Sequence, residues 1–177
     1  MPTLYKIHFI YLAALFIAAF CTFPAAALQT ATQTQLAKVY EENTSIPISD
    51  YLVSEKYDGI RAIWTGSELL TRQGNPISAP EWFTAPLPDV WLDGELWTKR
   101  QNFEALSSIV RTQTPKDNRW RQVKYMVFDM PDSQRPFEER YKNYSNLITQ
   151  INAEHIKPVK QQRFHSNHEL SKHLQAM

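Results

Sequence analysis

From residue 51 onward, apolar and polar positions alternate in short runs, and turn residues separate the runs. Residues 57–64 (YDGIRAIW) and 68–71 (ELLT) flank Thr65-Gly66-Ser67, which predicts a hairpin. Thr71-Arg72-Gln73-Gly74-Asn75-Pro76 closes its second arm with turn chemistry, leaving Arg72 at a strand end beside the hairpin. Residues 80–88 form a proline-punctuated connection with room for one helical turn at Glu81-Trp82-Phe83. The run 90–97 (VWLDGELW) predicts another strand. Strict alternation would put Trp91, Asp93, Glu95 and Trp97 on one face, and Val90, Leu92 and Leu96 on the other.

A helix is expected over residues 103–111, with Phe103, Leu106 and Val110 on its apolar side, and then a polar, basic loop over 112–121. Residues 124–129 (KYMVFD) predict a further strong strand. Pro136 opens a helix over 137–152, a strand is expected over 157–164, and a final helix over 167–177 takes Ser166 or Asn167 as its cap. This mixture defines an α+β fold of antiparallel sheets flanked by helices.

The first fifty residues read differently. Lys6 precedes an apolar run over residues 9–20, which Pro24 breaks before Ala25-Ala26-Ala27. That order is the pattern of an export signal with a small-residue cleavage site. The run is shorter than the roughly 20 residues a membrane span requires. The alternative is an uncleaved anchor. Cys21 is the single cysteine, so cleavage near Ala27 leaves none, which suits an oxidising compartment. The expected organisation is a signal peptide over 1–27, a polar linker with a short helix at 36–40 over 28–50, and the folded domain over 51–177. For a Gram-negative source the destination is the periplasm.

Composition narrows the partners. With 19 basic against 18 acidic residues, nothing global favours a polyanion, so any nucleic-acid contact needs a local patch. The 4 glycines form neither a phosphate-cradling loop nor a dinucleotide fingerprint, so a bound nucleotide would be held by side chains.

Candidate chemistry concentrates in residues 54–61 (SEKYDGIR). Taken alone, Lys56 fits a surface lysine paired with Glu55 or Asp58. It also fits a nucleophilic amine, activated by desolvation or a nearby cation. Asp93 and Glu95 share a predicted strand face with tryptophans, which is costly unless they bind something; a solvated Asp-Gly turn is the plainer alternative.

In order along the chain, these segments resemble the motifs of the covalent nucleotidyltransferases. Glu55-Lys56-Tyr57-Asp58-Gly59-Ile60-Arg61 is similar to motif I (K-x-D-G-x-R), and Thr71-Arg72-Gln73-Gly74 to the S/T-R-x-G element. Leu92-Asp93-Gly94-Glu95-Leu96 is similar to motif III, and Tyr125-Met126-Val127-Phe128-Asp129 to motif IIIa. Together with the export signal, the chain resembles the small periplasmic ATP-dependent DNA ligases of bacteria.

The resemblance implies an adenylation domain in which Lys56 attacks the α-phosphate of ATP, forming lysyl-AMP. AMP then passes to the 5′-phosphate of a nick, and the 3′-hydroxyl displaces it. The amine must be neutral to attack, whereas free lysine titrates at about 10.4. By the same resemblance Glu55, Arg61 and Arg72 join the ATP site, with the arginines on ribose or phosphate. Glu95 contacts a ribose hydroxyl or metal, Phe128 stacks on adenine, and Asp58 with Glu95 holds Mg²⁺ or Mn²⁺. Asp93 organises the turn and the metal's surroundings. Ordinary core packing is the other reading of Phe128.

The implied partner is nicked double-stranded DNA, engaged by a monomer with no obligate protein partner and no stable membrane association after signal cleavage. The family's E-G-x-M-L-R motif IV, K-x-K motif V and OB domain are not found after Phe128, so the expectation is a fragment of the adenylation domain. Two alternatives stay open. One is a non-catalytic remnant that binds nucleotide or DNA weakly; the other is an RNA ligase or capping-type enzyme, against which export argues.

Overall fold

Ten elements are laid down between residues 60 and 175 of the computed structural model, which describes residues 36–41, 46–132 and 134–176. They are β1 (Ile60–Trp64), β2 (Leu69–Thr71), α1 (Glu81–Thr84), β3 (Leu92–Trp97) and α2 (Phe103–Val110). Then come α3 (Asp117–Trp120), β4 (Lys124–Asp129), α4 (Phe137–Ile151), β5 (Ile156–Pro158) and α5 (Asn167–Gln175). The expected signal peptide lies outside the described residues. Residues 36–41 carry no helix, contrary to expectation; Leu36 and Val39 are exposed there, and only Tyr40 packs, half-buried, against the Ile48 cluster. A single 3₁₀ turn, Ile48–Asp50, comes later and tucks Ile48 against Phe164 and Leu170.

The strands form one five-stranded sheet in the order β2-β1-β3-β4-β5. Three pairings are antiparallel, as expected, but β4 and β5 run parallel, so the sheet is mixed. The reason is α4: a helical crossover returns the chain to the start of the sheet, and only a parallel neighbour can follow. β5 is far shorter than the expected 157–164; its pairing with β4 runs only as far as the Val159 N–H, which is donated to the Val127 carbonyl oxygen at 2.7 Å. The chain then leaves the sheet, and Gln162 exchanges two 2.8 Å backbone bonds with Val53.

The core lies on one face of this sheet. Ala62, Trp64, Leu92, Leu96, Tyr125 and Val127 meet Leu106, Ile109, Val110, Tyr144 and Ile148 of the helices. In α2, Ile109 takes the place expected for Phe103, which is 42% exposed at the helix start. The expected polar loop contains α3, one turn anchored by the completely buried Trp120. α5 begins as expected at Ser166, whose Oγ accepts the Glu169 N–H at 3.1 Å, while the Glu169 side chain accepts the His165 N–H at 2.8 Å. Among the described residues no helix is long and apolar enough to cross a membrane.

Two details of β3 and β4 set up the candidate site. Gly94 lies in mid-strand, not in a turn, and a Cβ there would stand 2.6 Å from Tyr125 Cε2 and 2.7 Å from the Met126 carbonyl oxygen. The bare glycine lets the Tyr125 ring cross β3. Its hydroxyl donates towards the Ala62 and Leu92 carbonyl oxygens, each at 3.0 Å, and so ties β4 to β3 and, across it, to β1. Register then shifts by one residue: Gly94 faces Val127, but Asp93 faces Asp129. Phe128 is therefore the additional residue of a β-bulge, a device that re-aims a side chain.

Candidate active site

Lys56 lies in an extended segment between the Val53–Gln162 bridge and the start of β1. Both its sequence neighbours are tethered. Glu55 accepts from Arg100 at 2.9 Å, and the Tyr57 ring meets Trp97 edge-on at 5.1 Å. Gly59 closes the segment by crossing tightly over β3, where any Cβ would collide with the Leu96 carbonyl oxygen. Its N–H is donated to the Glu95 carboxylate, and the positive charge of Lys56 also stabilises that carboxylate. The lysine side chain itself is exposed.

Arg61 and Glu95 face each other across β1 and β3. Arg61 forks onto Asp93, with Nε at 3.0 Å from Oδ1 and Nη2 at 2.6 Å from Oδ2. Its guanidinium also lies over the Phe128 ring, 5.4 Å from the centroid, a cation–π arrangement. Asp93 is completely buried and both its oxygens are engaged by Arg61. It is an ion-pair partner within a strand, and not the expected turn residue. Burial pushes its carboxyl upward, against the pull of Arg61.

Glu95 is the perturbed group of the site. Burial pushes its pKa from the ordinary 4.5 to about 7, overcoming the Gly59 N–H, Arg61 and Lys56, all of which favour the charged form. The native state therefore holds more protons than the unfolded chain between these two values, and stability falls as pH rises through that window. Glu95→Gln should abolish this slope. It should gain on the order of 1–2 kcal/mol over the parent at pH 8, the full shift being discounted because the carboxylate is only partly screened from water. Denaturant titrations at pH 4.5 and 8 check this, and parallel curves for the two proteins would count against it.

Arg61, Arg72 and Glu95 line one cleft of about 580 Å³, whose far wall is α2 with Phe103, Ser107 and Arg111. Arg72 projects from the tight turn closed by the Thr71–Asn75 backbone bond of 2.8 Å, with Gly74 at φ +84°. Phe128 joins this group through Arg61, and Lys56 through its charge on Glu95. Glu55, Lys56, Asp58 and Phe128 are not among the cleft walls. Asp58 is exposed, and among the described residues no cluster of three or more His, Cys, Asp or Glu side chains is assembled to hold a metal.

A second forked pair adjoins the site and was not anticipated. Arg140 of α4 donates to Asp129 from Nε at 2.8 Å and from Nη2 at 3.1 Å, both residues being buried. A signal was present: Arg140, Tyr144 and Ile148 recur every four residues, so the arginine stands on the buried stripe of its helix. A charge there needs a partner.

No protein-family model matches the chain. Over 94 residues, 53% of the chain, it is 43% identical to a DNA ligase of Haemophilus influenzae, and the match spans 34% of that protein. Among solved structures it is similar to a Lig E DNA ligase, at 43% identity and a TM-score of 0.73, over 80% of this chain and 56% of the ligase. It is also similar to the Chlorella virus DNA ligase-adenylate, at 26% identity and a TM-score of 0.59, over 71% of this chain and 50% of the other. The chain is a DNA ligase homologue with the fold of a ligase adenylation domain, and it spans between a third and little more than half the length of these relatives.

Proposed function

We propose that the protein carries the adenylation site of an ATP-dependent DNA ligase, acting through a lysyl-AMP at Lys56 and sealing nicks in duplex DNA. The carrying observation is that Lys56, Arg61, Glu95 and Phe128 converge within a ligase fold that shares 43% of its aligned residues with a DNA ligase. The Lys56 amine, once neutral, forms a bond to the α-phosphorus as the α–β phosphate linkage breaks and pyrophosphate leaves. Arg61 and Arg72 give positive charge beside the developing negative oxygens. Phe128 offers an aromatic face to adenine.

Magnesium fits this site through Glu95. The ion ordinarily takes one or two carboxylates and completes its shell with water and substrate phosphates, so no preformed cage is required. Glu95 is a desolvated carboxylate in the cleft wall, and a cation would favour its charged form. Asp58 is the candidate for a second, water-exposed ligand. Bound there, the ion would neutralise charge on the phosphates.

The test is ATP labelled at the α-phosphate. The intact protein should take up covalent label, lose it to added pyrophosphate, and pass it to the 5′-phosphate of a nicked duplex. Nucleotide binding without label would favour the non-catalytic reading instead. Phe128→Ala should still become labelled, but roughly tenfold to a hundredfold less efficiently, because one base stack is worth about 1–3 kcal/mol. Unchanged efficiency would remove Phe128 from the adenine site.

A further inference from the structure

We propose that Arg140, on α4 and outside the cleft, is a positioning residue for the nucleotide: through Asp129 it holds the β4 bulge so that Phe128 keeps its ring beneath Arg61. The inference rests on the adenine-binding role given to Phe128 above. The extra residue of a bulge has no partner across the ladder to set its direction. Phe128 is such a residue, and what fixes it must come from its sides.

On one side is Asp129. Its carboxylate takes two bonds from Arg140 and a third from the Met130 N–H at 2.8 Å, while Arg140 Nη1 donates to the Arg135 carbonyl oxygen at 2.8 Å. The Phe137 ring lies under the Arg140 guanidinium at 5.4 Å. On the other side is Arg61, forked onto Asp93, the residue that faces Asp129 in the sheet. Two forked Arg–Asp pairs thus enclose the bulge. One is in the cleft wall and the other reaches in from the helix behind it. Planar, two-point bonding fixes orientation as well as distance, which a lysine at position 140 cannot reproduce.

A residue that merely stabilised the fold would reduce the amount of working protein and leave the affinity of the folded fraction alone. The experiment therefore compares Arg140→Met and Arg140→Lys with Ile148→Ala, a core truncation on the same buried stripe of α4. All are assayed at a temperature where each is fully folded. Adenylation kinetics give KM for ATP and kcat, and equilibrium titration uses an ATP analogue with a methylene between the α- and β-phosphorus.

Arg140→Met should raise both KM and the analogue Kd about five- to tenfold, part of one base stack, with kcat within about twofold. Arg140→Lys should recover only part of this, and Ile148→Ala should leave both affinities at the parental value. Parental affinity in both Arg140 variants, or an equal rise in Ile148→Ala, would overturn the proposal. If the parent binds the analogue but never becomes labelled, the ligase reading fails while the analogue titration still decides the role of Arg140. A parent that does not bind the analogue overturns both.

Discussion

Lys56→Ala and Lys56→Arg should each abolish covalent AMP transfer, with no label above background, while the protein stays folded. The reaction makes a bond to one nitrogen, and no amount of binding energy replaces that atom. Arginine makes the test selective. It keeps the positive charge that favours the Glu95 carboxylate, but its guanidinium is protonated at every working pH and is no nucleophile. The lysine side chain is exposed, so either change should alter stability by no more than about 0.5 kcal/mol. Loss of label would then report chemistry and not unfolding. The analogue should still bind to both variants, since Arg61, Arg72 and Phe128 are untouched. A mass spectrum of the parent with AMP on any residue other than Lys56 would overturn the assignment, as would residual labelling of either variant.

The elements legible in the sequence are those whose pattern is local. The hairpin at Gly66, the strands at 92–97 and 124–129, and the helix opened by Pro136 all carry their own periodicity and punctuation. Alternation also put Asp93 and Glu95 on one face correctly. It could not say that Asp93 is consumed by Arg61, because that pair joins residues 32 apart and depends on how β1 and β3 are registered. The bulge left no mark either: Val127, Phe128 and Asp129 read as plain alternation, and the extra residue exists only relative to β3. Trp120 in a polar loop and Phe103 at a helix start were misread for a related reason. Which side of a short helix is buried is decided by what packs on it, and Trp120 meets Phe83 across more than thirty residues of sequence. The parallel β5 follows from the path of α4 and not from any residue of its own.

Removing one partner of the Asp129–Arg140 pair should be the most costly change to stability outside the apolar core. Asp129→Ala takes from the Arg140 guanidinium, 9% exposed, the carboxylate that accepts from its Nε and Nη2. Removing one partner of a buried forked pair costs about 3–5 kcal/mol, a large share of the roughly 5–15 kcal/mol that holds a domain together. Arg140→Ala strands the carboxylate instead, which keeps the Met130 N–H but loses both guanidinium bonds, and it should cost a similar amount. Removing both charges at once should behave differently. Asp129→Leu combined with Arg140→Met fills the same space without desolvating an ion, so the double variant should lie within about 1–2 kcal/mol of the parent. Denaturant unfolding at constant m-value measures the four corners of this cycle, and the coupling should be several kcal/mol. Single losses below about 1 kcal/mol that simply add would mean that water already reaches the pair. A double variant that unfolds cooperatively near parental stability but binds ATP weakly would separate the two roles. Hydrophobic packing can then stand in for the pair in holding the fold, while only the forked bond aims Phe128.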